Sequence, residues 1–270
     1  MIFSPNVKSK KGANTKWHTT PFPTVDRQLT GIFTGVSVEV CENADIIELY
    51  TNGNYGKGTK SRSTPQIMRS ENVTHNPERN EETLALSLEE AFFLSYYLKV
   101  LAINNIQGER LEWFEMLQEC ETINRKFVCN LAAYIYLKSK CWIVKSGFKF
   151  VIYRKGPRFY HASFAVSISC NNEACAHLVV KNIKGLQRIA ETSDKDILLL
   201  DVNKPSDFQM RSLEDISRLA ISESVIRRFN YAAFVQNKAQ EKLFPLYAFS
   251  VHLYAYIPSV LVNKSVYILL

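Results

Sequence analysis

Apolar residues alternate with small or polar residues over positions 31–40, and this period of two predicts a β-strand early in the chain. Farther along, Ser87 and Glu90 have the spacing of a helix capping box. Apolar residues continue after Ser87 as far as Leu101, so we predict a helix there. A second helix is predicted over residues 111–119.

A third helix is predicted where apolar residues recur at helical spacing on one face. These residues are Phe127, Val128, Leu131, Ala132 and Ile135. Lys138 and Lys140 suit the carboxyl-terminal end of this helix, because cations are favoured there by the helix dipole.

Short strands are predicted after Trp142. Residues 160–168 alternate, with Tyr160, Ala162, Phe164, Val166 and Ile168 on one face and His161 and small residues on the other. A helix over residues 181–191 and a buried strand over residues 197–202 follow. Strands and helices mix without regular βαβ alternation, so we predict an α+β fold with a mostly helical N-terminal region and a mixed C-terminal sheet.

The chain of 270 residues is long enough for one large domain or two small ones. Its hydrophobic content of 46% excludes a disordered protein, and 10 glycines exclude a collagen-like one. Residues 1–20 form a basic, polar leader, which we expect to be disordered. Residues 64–82 are polar without periodicity, and they are expected to form a long loop.

The C-terminal residues 237–270 differ in composition from the rest of the chain. Residues 243–262 contain no Asp, Glu, Lys or Arg, and this run of about 20 residues approaches one bilayer span. Two prolines, Pro245 and Pro258, interrupt it, so we expect an atypical tail outside the globular domain rather than a membrane segment. The N-terminus lacks the apolar run of a signal peptide, so we expect a reducing, intracellular location.

The cysteines do not predict a metal site. Cys170, Cys175 and His177 lie close together in sequence, but a zinc site needs about four ligands, usually as close pairs, and no second pair exists. The spacing of the six cysteines also lacks a disulfide framework, so we expect buried or idle thiols.

A basic and aromatic stretch spans residues 145–160 in a chain of net charge +7. It contains no acid and five cations: Lys145, Lys149, Arg154, Lys155 and Arg158. Cations neutralise phosphates and aromatic rings stack on unpaired bases, so the stretch suits single-stranded RNA. The alternative is that the aromatic residues belong to the core and the cations to a solvated surface.

Within this stretch, Tyr153 and His161 flank a Gly-Pro turn. A metal-free ribonuclease needs a base for the 2′-hydroxyl, an acid for the leaving 5′-oxygen and a cation for the phosphorane charge. Tyr, His and Lys side chains can supply these three roles.

The segment YRKGP at residues 153–157, followed by FYHASF at residues 159–164, closely resembles the catalytic motif of tRNA-splicing endonucleases, in the subunit that cuts the 5′ splice site. The resemblance includes KSGFKF at 145–150, the glycine-rich segment 50–58 with SRS at 61–63, and the helix start at 86–93. It extends over about residues 20–236. It implies an N-terminal domain over residues 21–125 and a mixed-sheet catalytic domain over residues 126–236.

The resemblance also implies roles for individual residues. Tyr153 matches the general base, His161 the general acid and Lys195 the lysine that stabilises the transition state. Arg188 matches an arginine that clamps a base by cation–π stacking, and Phe229 stands where the family has its partner tryptophan. We expect nearby cations such as Lys195 and Arg154 or Lys155 to lower the pKa of Tyr153 by favouring the phenolate.

This chain departs from the family just before Tyr153. Phe150 runs directly into Val151, where family members carry about four more residues. An even-numbered loss preserves the facing of strand residues, but a shorter turn can also move Tyr153 away from His161. A displacement of about 1 Å can cost about 100-fold in rate.

The resemblance thus implies an endoribonuclease that excises introns from pre-tRNA by 2′-hydroxyl transesterification, with 2′,3′-cyclic phosphate and 5′-hydroxyl ends. It implies no metal and no cofactor, partner subunits in a nuclear heterotetramer, and intron-containing pre-tRNA as substrate. Two alternatives stay open: an RNA-binding or assembly subunit disabled by the shortened turn, and an RNA-processing factor anchored to a membrane by residues 243–262.

Overall fold

The computed structural model describes residues 21–68, 82–147, 149–157, 160–170, 185, 188, 192, 195–227 and 266–269. Two mixed sheets organise these residues, one in each half of the chain, so the predicted α+β class is confirmed. The N-terminal half holds more strands than the mostly helical region predicted for it. The predicted leader, residues 1–20, lies outside the described residues.

The N-terminal sheet has the strand order β3-β4-β2-β1-β5, in which β1 pairs parallel with β5 and the other pairs are antiparallel. Its strands are β1 (Leu29–Phe33), β2 (Val38–Val40), β3 (Lys57–Gly58), β4 (Leu84–Leu86) and β5 (Leu101–Asn104). The helices are α1 (Asn43–Thr51), α2 (Leu88–Phe92), α3 (Trp113–Ile123) and α4 (Phe127–Ser139).

The C-terminal sheet has the order β11-β10-β9-β8-β7-β6. Its strands are β6 (Ile143–Ser146), β7 (Phe150–Tyr153), β8 (Phe164–Cys170), β9 (Asp196–Asn203), β10 (Ala220–Arg227) and β11 (Val266–Leu269). Strand β8 is parallel to β9 and β10 is parallel to β11, while the remaining pairs are antiparallel. The strand predicted over residues 197–202 is confirmed as β9.

Helix α4 lies between the two halves. It contacts α2 and α3 on one side and β6, β8 and β9 on the other. Its residues from Phe127 to Lys138 are all buried, so the single apolar face predicted for this helix is wrong in extent. Lys138 lies in the last turn of the helix, as expected, but it is fully buried, and its Nζ donates to the carbonyl of Pro21 over 3.0 Å.

Two local predictions are corrected by the structure. The strand predicted over residues 31–40 is a hairpin of β1 and β2, because Gly35 adopts a positive φ of 88° in the turn between them. The capping box of Ser87 and Glu90 is confirmed, and the second helix is found as α3. The first helix, however, passes into a π-helical turn at Phe93–Tyr97 and ends before Leu101, which begins β5.

The strand predicted over residues 160–168 begins only at Phe164. Strand β8 lies inside the sheet, and the face expected to be small and polar is buried on it, since Ala165, Ser167 and Ser169 are buried like Val166. The helix predicted over residues 181–191 falls largely outside the described residues, although Gly185 and Arg188 are helical.

Strand β11 belongs to the segment that was expected to lie outside the globular domain, yet it pairs with β10 from Ser224 to Arg227. The apolar run 243–262 lies outside the described residues, and within the described ranges no helix is long and apolar enough to cross a membrane. Cys129 on α4 and Cys170 on β8 form a disulfide, because the helix packs on that strand, so the expectation of idle thiols is wrong for this pair.

Candidate active site

The register of three neighbouring strands brings Tyr153, His161 and Lys195 to one edge of the C-terminal sheet. Ile152 on β7 pairs with Phe164 on β8, and Phe164 pairs with Asp196 on β9. Tyr153 follows Ile152 directly, Lys195 precedes Asp196 directly, and His161 lies three residues before Phe164. The carboxyl end of β7 and the amino ends of β8 and β9 therefore meet where these three residues lie.

Tyr153 and His161 stand near the two ends of one short loop, residues 154–163, which we call the catalytic loop. The loop is closed at its base, because the Ser163 amide donates to the Ile152 carbonyl over 2.8 Å. A second bond, from the Tyr160 amide to the Gly156 carbonyl at 3.2 Å, closes a tighter turn inside it. His161 is exposed, so its imidazole is accessible to a substrate.

Tyr153 is half-buried, and its surroundings differ from those expected. Burial raises the pKa of Tyr153 above its ordinary value, and the nearby Tyr50 raises it further. The expectation that cations lower this pKa is therefore wrong for the free chain, since Arg154 and Lys155 are exposed to solvent. Tyr50 lies on α1 and donates to Thr64 over 2.9 Å, so the N-terminal half supplies part of the surroundings of Tyr153.

Lys145 was predicted to contact RNA, but its ammonium group binds backbone carbonyls of the chain itself. Its Nζ donates to the carbonyls of Asn54, at 2.7 Å, and Gly56. Burial lowers the pKa of its ammonium group, and Glu90 opposes this effect. The bonds to the chain's own carbonyls favour a structural role for Lys145.

The other residues predicted to contact RNA differ in their surroundings. Lys149 forms an ion pair of 2.9 Å with Glu89 on α2 and is about one-third exposed. Arg154 and Lys155 are exposed in the catalytic loop, beside Tyr153. Arg188 is exposed and helical, whereas Arg158 and Phe229 lie outside the described residues.

Strands β6 and β7 form a hairpin that leads to Tyr153, and the position at which the resemblance implies missing residues, between Phe150 and Val151, lies within β7. Residues 147–149 connect β6 to β7, and all four residues of β6 pair with β7, from Ser146 with Phe150 to Ile143 with Tyr153. The register thus continues without a break up to Tyr153.

In the part of the chain that the structure describes, no group of three or more metal-binding side chains is present.

A cavity of about 360 Å³ lies elsewhere, between α3 and residues 204–211. Phe114, Leu117 and Met210 line it. Lys204, another lining residue, follows the carboxyl end of β9, so the cavity lies at the opposite end of that strand from Lys195.

Sequence reasoning did not anticipate that Tyr50 and Asn54 lie beside these residues. The signal was the glycine-rich segment 50–58, which the sequence marked as a turn without indicating what it contacts. Asn54 is 4% exposed and has a positive φ of 55°.

Family models match both halves of the chain. The model described as tRNA intron endonuclease, N-terminal domain, matches residues 29–117, and the catalytic C-terminal domain of the same family matches residues 127–232. The first range runs from β1 into the first half of α3, and the second contains α4 through β10 together with Tyr153, His161 and Lys195.

Similar curated proteins include tRNA-splicing endonuclease subunit Sen2 of Mus musculus, 35% identical over 57% of this chain and 36% of that protein. Subunit Sen2-1 of Arabidopsis thaliana is 30% identical over 57% of this chain and 67% of that protein. A tRNA-splicing endonuclease of Saccharolobus islandicus is 28% identical over 59% of this chain and 82% of that protein. The matched part of the chain spans about a third of the length of the mouse protein.

Proposed function

Since the chain belongs to the tRNA intron endonuclease family, we propose that it is the endoribonuclease subunit that cuts intron-containing pre-tRNA at the 5′ splice site. The observation that supports the proposal is the strand register, in which Ile152 pairs with Phe164 and Phe164 with Asp196, next to Tyr153 and Lys195 in the chain. The three predicted catalytic side chains match the base, acid and cation that a metal-free ribonuclease requires.

In the proposed reaction, the phenolate form of Tyr153 accepts the proton of the 2′-hydroxyl, whose oxygen attacks the adjacent phosphorus. His161 donates a proton to the leaving 5′-oxygen, and Lys195 stabilises the negative charge of the phosphorane. The bond to the 5′-oxygen breaks as the 2′ bond forms, so the products are a 2′,3′-cyclic phosphate and a 5′-hydroxyl. We assign contacts with phosphates to Arg154 and Lys155, which are exposed beside Tyr153, and the clamping of a base to Arg188, which is also exposed.

The test is cleavage of an end-labelled, intron-containing pre-tRNA by the full chain assembled with its partner subunits in EDTA. We expect a 5′-exon fragment that ends in a cyclic phosphate. His161→Ala should abolish this cut, whereas Lys204→Ala, a lysine at the other end of β9, should leave it unchanged. Normal cutting by His161→Ala, or a requirement for a divalent metal, would falsify the mechanism.

A second candidate is an RNA-binding or assembly subunit without catalysis. The raised pKa of Tyr153 favours it, because a raised pKa reduces the fraction of phenolate that can accept a proton near neutral pH. It predicts that the assembled complex binds pre-tRNA and never cuts at the 5′ site, whichever residue occupies position 161.

We also propose partner subunits and a nuclear location. The mouse relative is named as a subunit, which supports assembly into a larger complex, and the net charge of +7 favours an RNA substrate. Co-purification of the tagged full chain tests the first proposal, and fluorescence microscopy of the same chain tests the second. A chain that purifies alone, or one that stays outside the nucleus, contradicts the respective proposal.

A further inference from the structure

A glycine-rich turn of the N-terminal half, residues 52–58, lies against the catalytic loop. We call it the docking turn. Three of its residues adopt a positive φ: Gly53 at 104°, Asn54 at 55° and Gly56 at 65°. This conformation directs the carbonyls of Asn54 and Gly56 to a single group, the Nζ of Lys145 on β6.

The docking turn is also held from the other side. The Gly56 amide donates to Oε1 of Glu90 over 3.2 Å, while Oε2 of the same carboxylate accepts from the Ser87 amide over 2.9 Å. Glu90 is 3% exposed, so these bonds form in a buried environment. The capping box of α2 and the ammonium group of Lys145 therefore fix the docking turn between them.

From this fixed position, the side chain of Asn54 supports the catalytic loop. Gly156, a buried residue of the loop, lies so close that an added Cβ would stand 2.7 Å from Nδ2 of Asn54. Gly156 itself has a positive φ of 89°, and its carbonyl accepts the hydrogen bond of the Tyr160 amide. Asn54 thus contacts the loop midway between Tyr153 and His161.

We propose that Asn54 is a positioning residue for catalysis: its side chain sets the conformation of the catalytic loop at Gly156 and thereby the placement of His161 relative to Tyr153. Lys145 acts one step farther out, because it holds the docking turn that carries Asn54. The inference rests on the proposed function for its kinetic consequence, whereas the contact with Gly156 does not depend on that function.

The decisive variant is Asn54→Gly, which removes the side chain and tolerates the positive φ. We expect the single-turnover rate of 5′ cleavage to fall about 10- to 100-fold, with unchanged pre-tRNA affinity, because a small misplacement of reacting groups affects the rate and not the binding. The matched control is Asn52→Gly in the same turn, where the side-chain amide donates to Oε1 of Glu48 over 2.8 Å. An unchanged rate in Asn54→Gly, or an equal fall in both variants, overturns the proposal.

A second measurement does not need cleavage. Hydrogen exchange of the Tyr160 amide reports the bond to Gly156 directly. We expect Asn54→Gly to accelerate this exchange about tenfold or more and Asn52→Gly to leave it unchanged. If the wild-type complex fails to cut, the proposed function is wrong, while faster exchange in Asn54→Gly still supports the positioning contact and unchanged exchange overturns it.

The contact can also be tested by coupling. Gly156→Ala adds a methyl group that meets Asn54, so its effect on the cleavage rate should be smaller in the Asn54→Gly background than in the wild type. Simple additivity of the two effects contradicts a direct contact. Replacement of Lys145 by Met should lower the rate without changing how affinity depends on salt, since a phosphate contact would change that slope.

Discussion

The cations at the beginning of the basic stretch 145–160 and those farther along it differ in their exposure to solvent. At its beginning, Lys145 directs its ammonium group into the protein, where backbone carbonyls of the docking turn accept its hydrogen bonds. Ten residues later, Arg154 and Lys155 are exposed beside Tyr153. Closeness in sequence therefore does not decide which cations of this stretch are exposed to solvent; contacts with the N-terminal half do.

The largest expected effect concerns the buried end. Lys145→Met should lower the free energy of unfolding by about 2 kcal/mol, because two carbonyls lose their donor and Glu90 loses a nearby cation. Denaturant unfolding of the full chain measures this. Lys155→Met is the control at the exposed end, and it should change stability by less than about 0.5 kcal/mol. Equal effects at the two positions would contradict the distinction.

A second effect is expected from Lys138, which should make the free energy of unfolding change by about 1 kcal/mol per pH unit. Burial lowers the pKa of Lys138 from 10.5 to about 7. Between these values the unfolded chain binds one proton more than the folded chain, so stability rises with pH across this window. Unfolding measured from pH 7 to about pH 9 should show this rise, before the buried tyrosines with raised pKa values begin to oppose it.

The control for this pH dependence is Lys138→Met, which should flatten it. Lys145 shares the direction of the shift, so part of the slope is expected to persist in that variant. A wild-type chain whose stability is constant or falls from pH 7 to 9 contradicts the assignment.

At the exposed end, a double replacement of Arg154 and Lys155 by Ala should weaken binding of pre-tRNA and leave stability unchanged. Each lost phosphate contact should reduce the slope of log affinity against log salt by about 0.7–0.9. Filter binding at several salt concentrations gives this slope. An unchanged slope would mean that neither cation contacts a phosphate.

The smallest effect is expected between the two ends, at Lys149. Its ion pair with Glu89 is partly solvent-screened, and Glu89 also lies in the first turn of α2, where the helix dipole stabilises it. Lys149→Ala should therefore cost about 1 kcal/mol or less. A double-mutant cycle with Glu89→Gln isolates the pair, and a larger coupling energy would place Lys149 with Lys145 among the structural cations.

Local signals were sufficient for some elements. The capping box of Ser87 and Glu90 acts within one helical turn, and the apolar residues of α4 repeat at short intervals, so both were predicted from sequence. Long-range contacts decided the rest. Leu101 continues a helical pattern, but pairing with Leu29 in the sheet takes it into a strand.

In the candidate site, too, some features could be predicted from the sequence and others depend on long-range contacts. Tyr153 and His161 belong to a contiguous motif, and Lys195 was placed by resemblance, so all three were named from sequence. The fully buried position of Lys138 and the partly buried position of Lys145 depend on carbonyls 89 to 117 residues away, which no local pattern encodes. The raised pKa of Tyr153 has the same origin, since burial and Tyr50 on α1 cause it.

Helix α4 joins the two halves of the chain through a shared hydrophobic core. One continuous hydrophobic core includes residues of α2 and α3 as well as β8 and β9, with α4 between them. The boundary near residue 126 divides two family models, yet it passes through this core rather than between two cores. A chain cut at this boundary would expose aromatic rings that now pack between α2 and α4, such as Phe92 against Phe127.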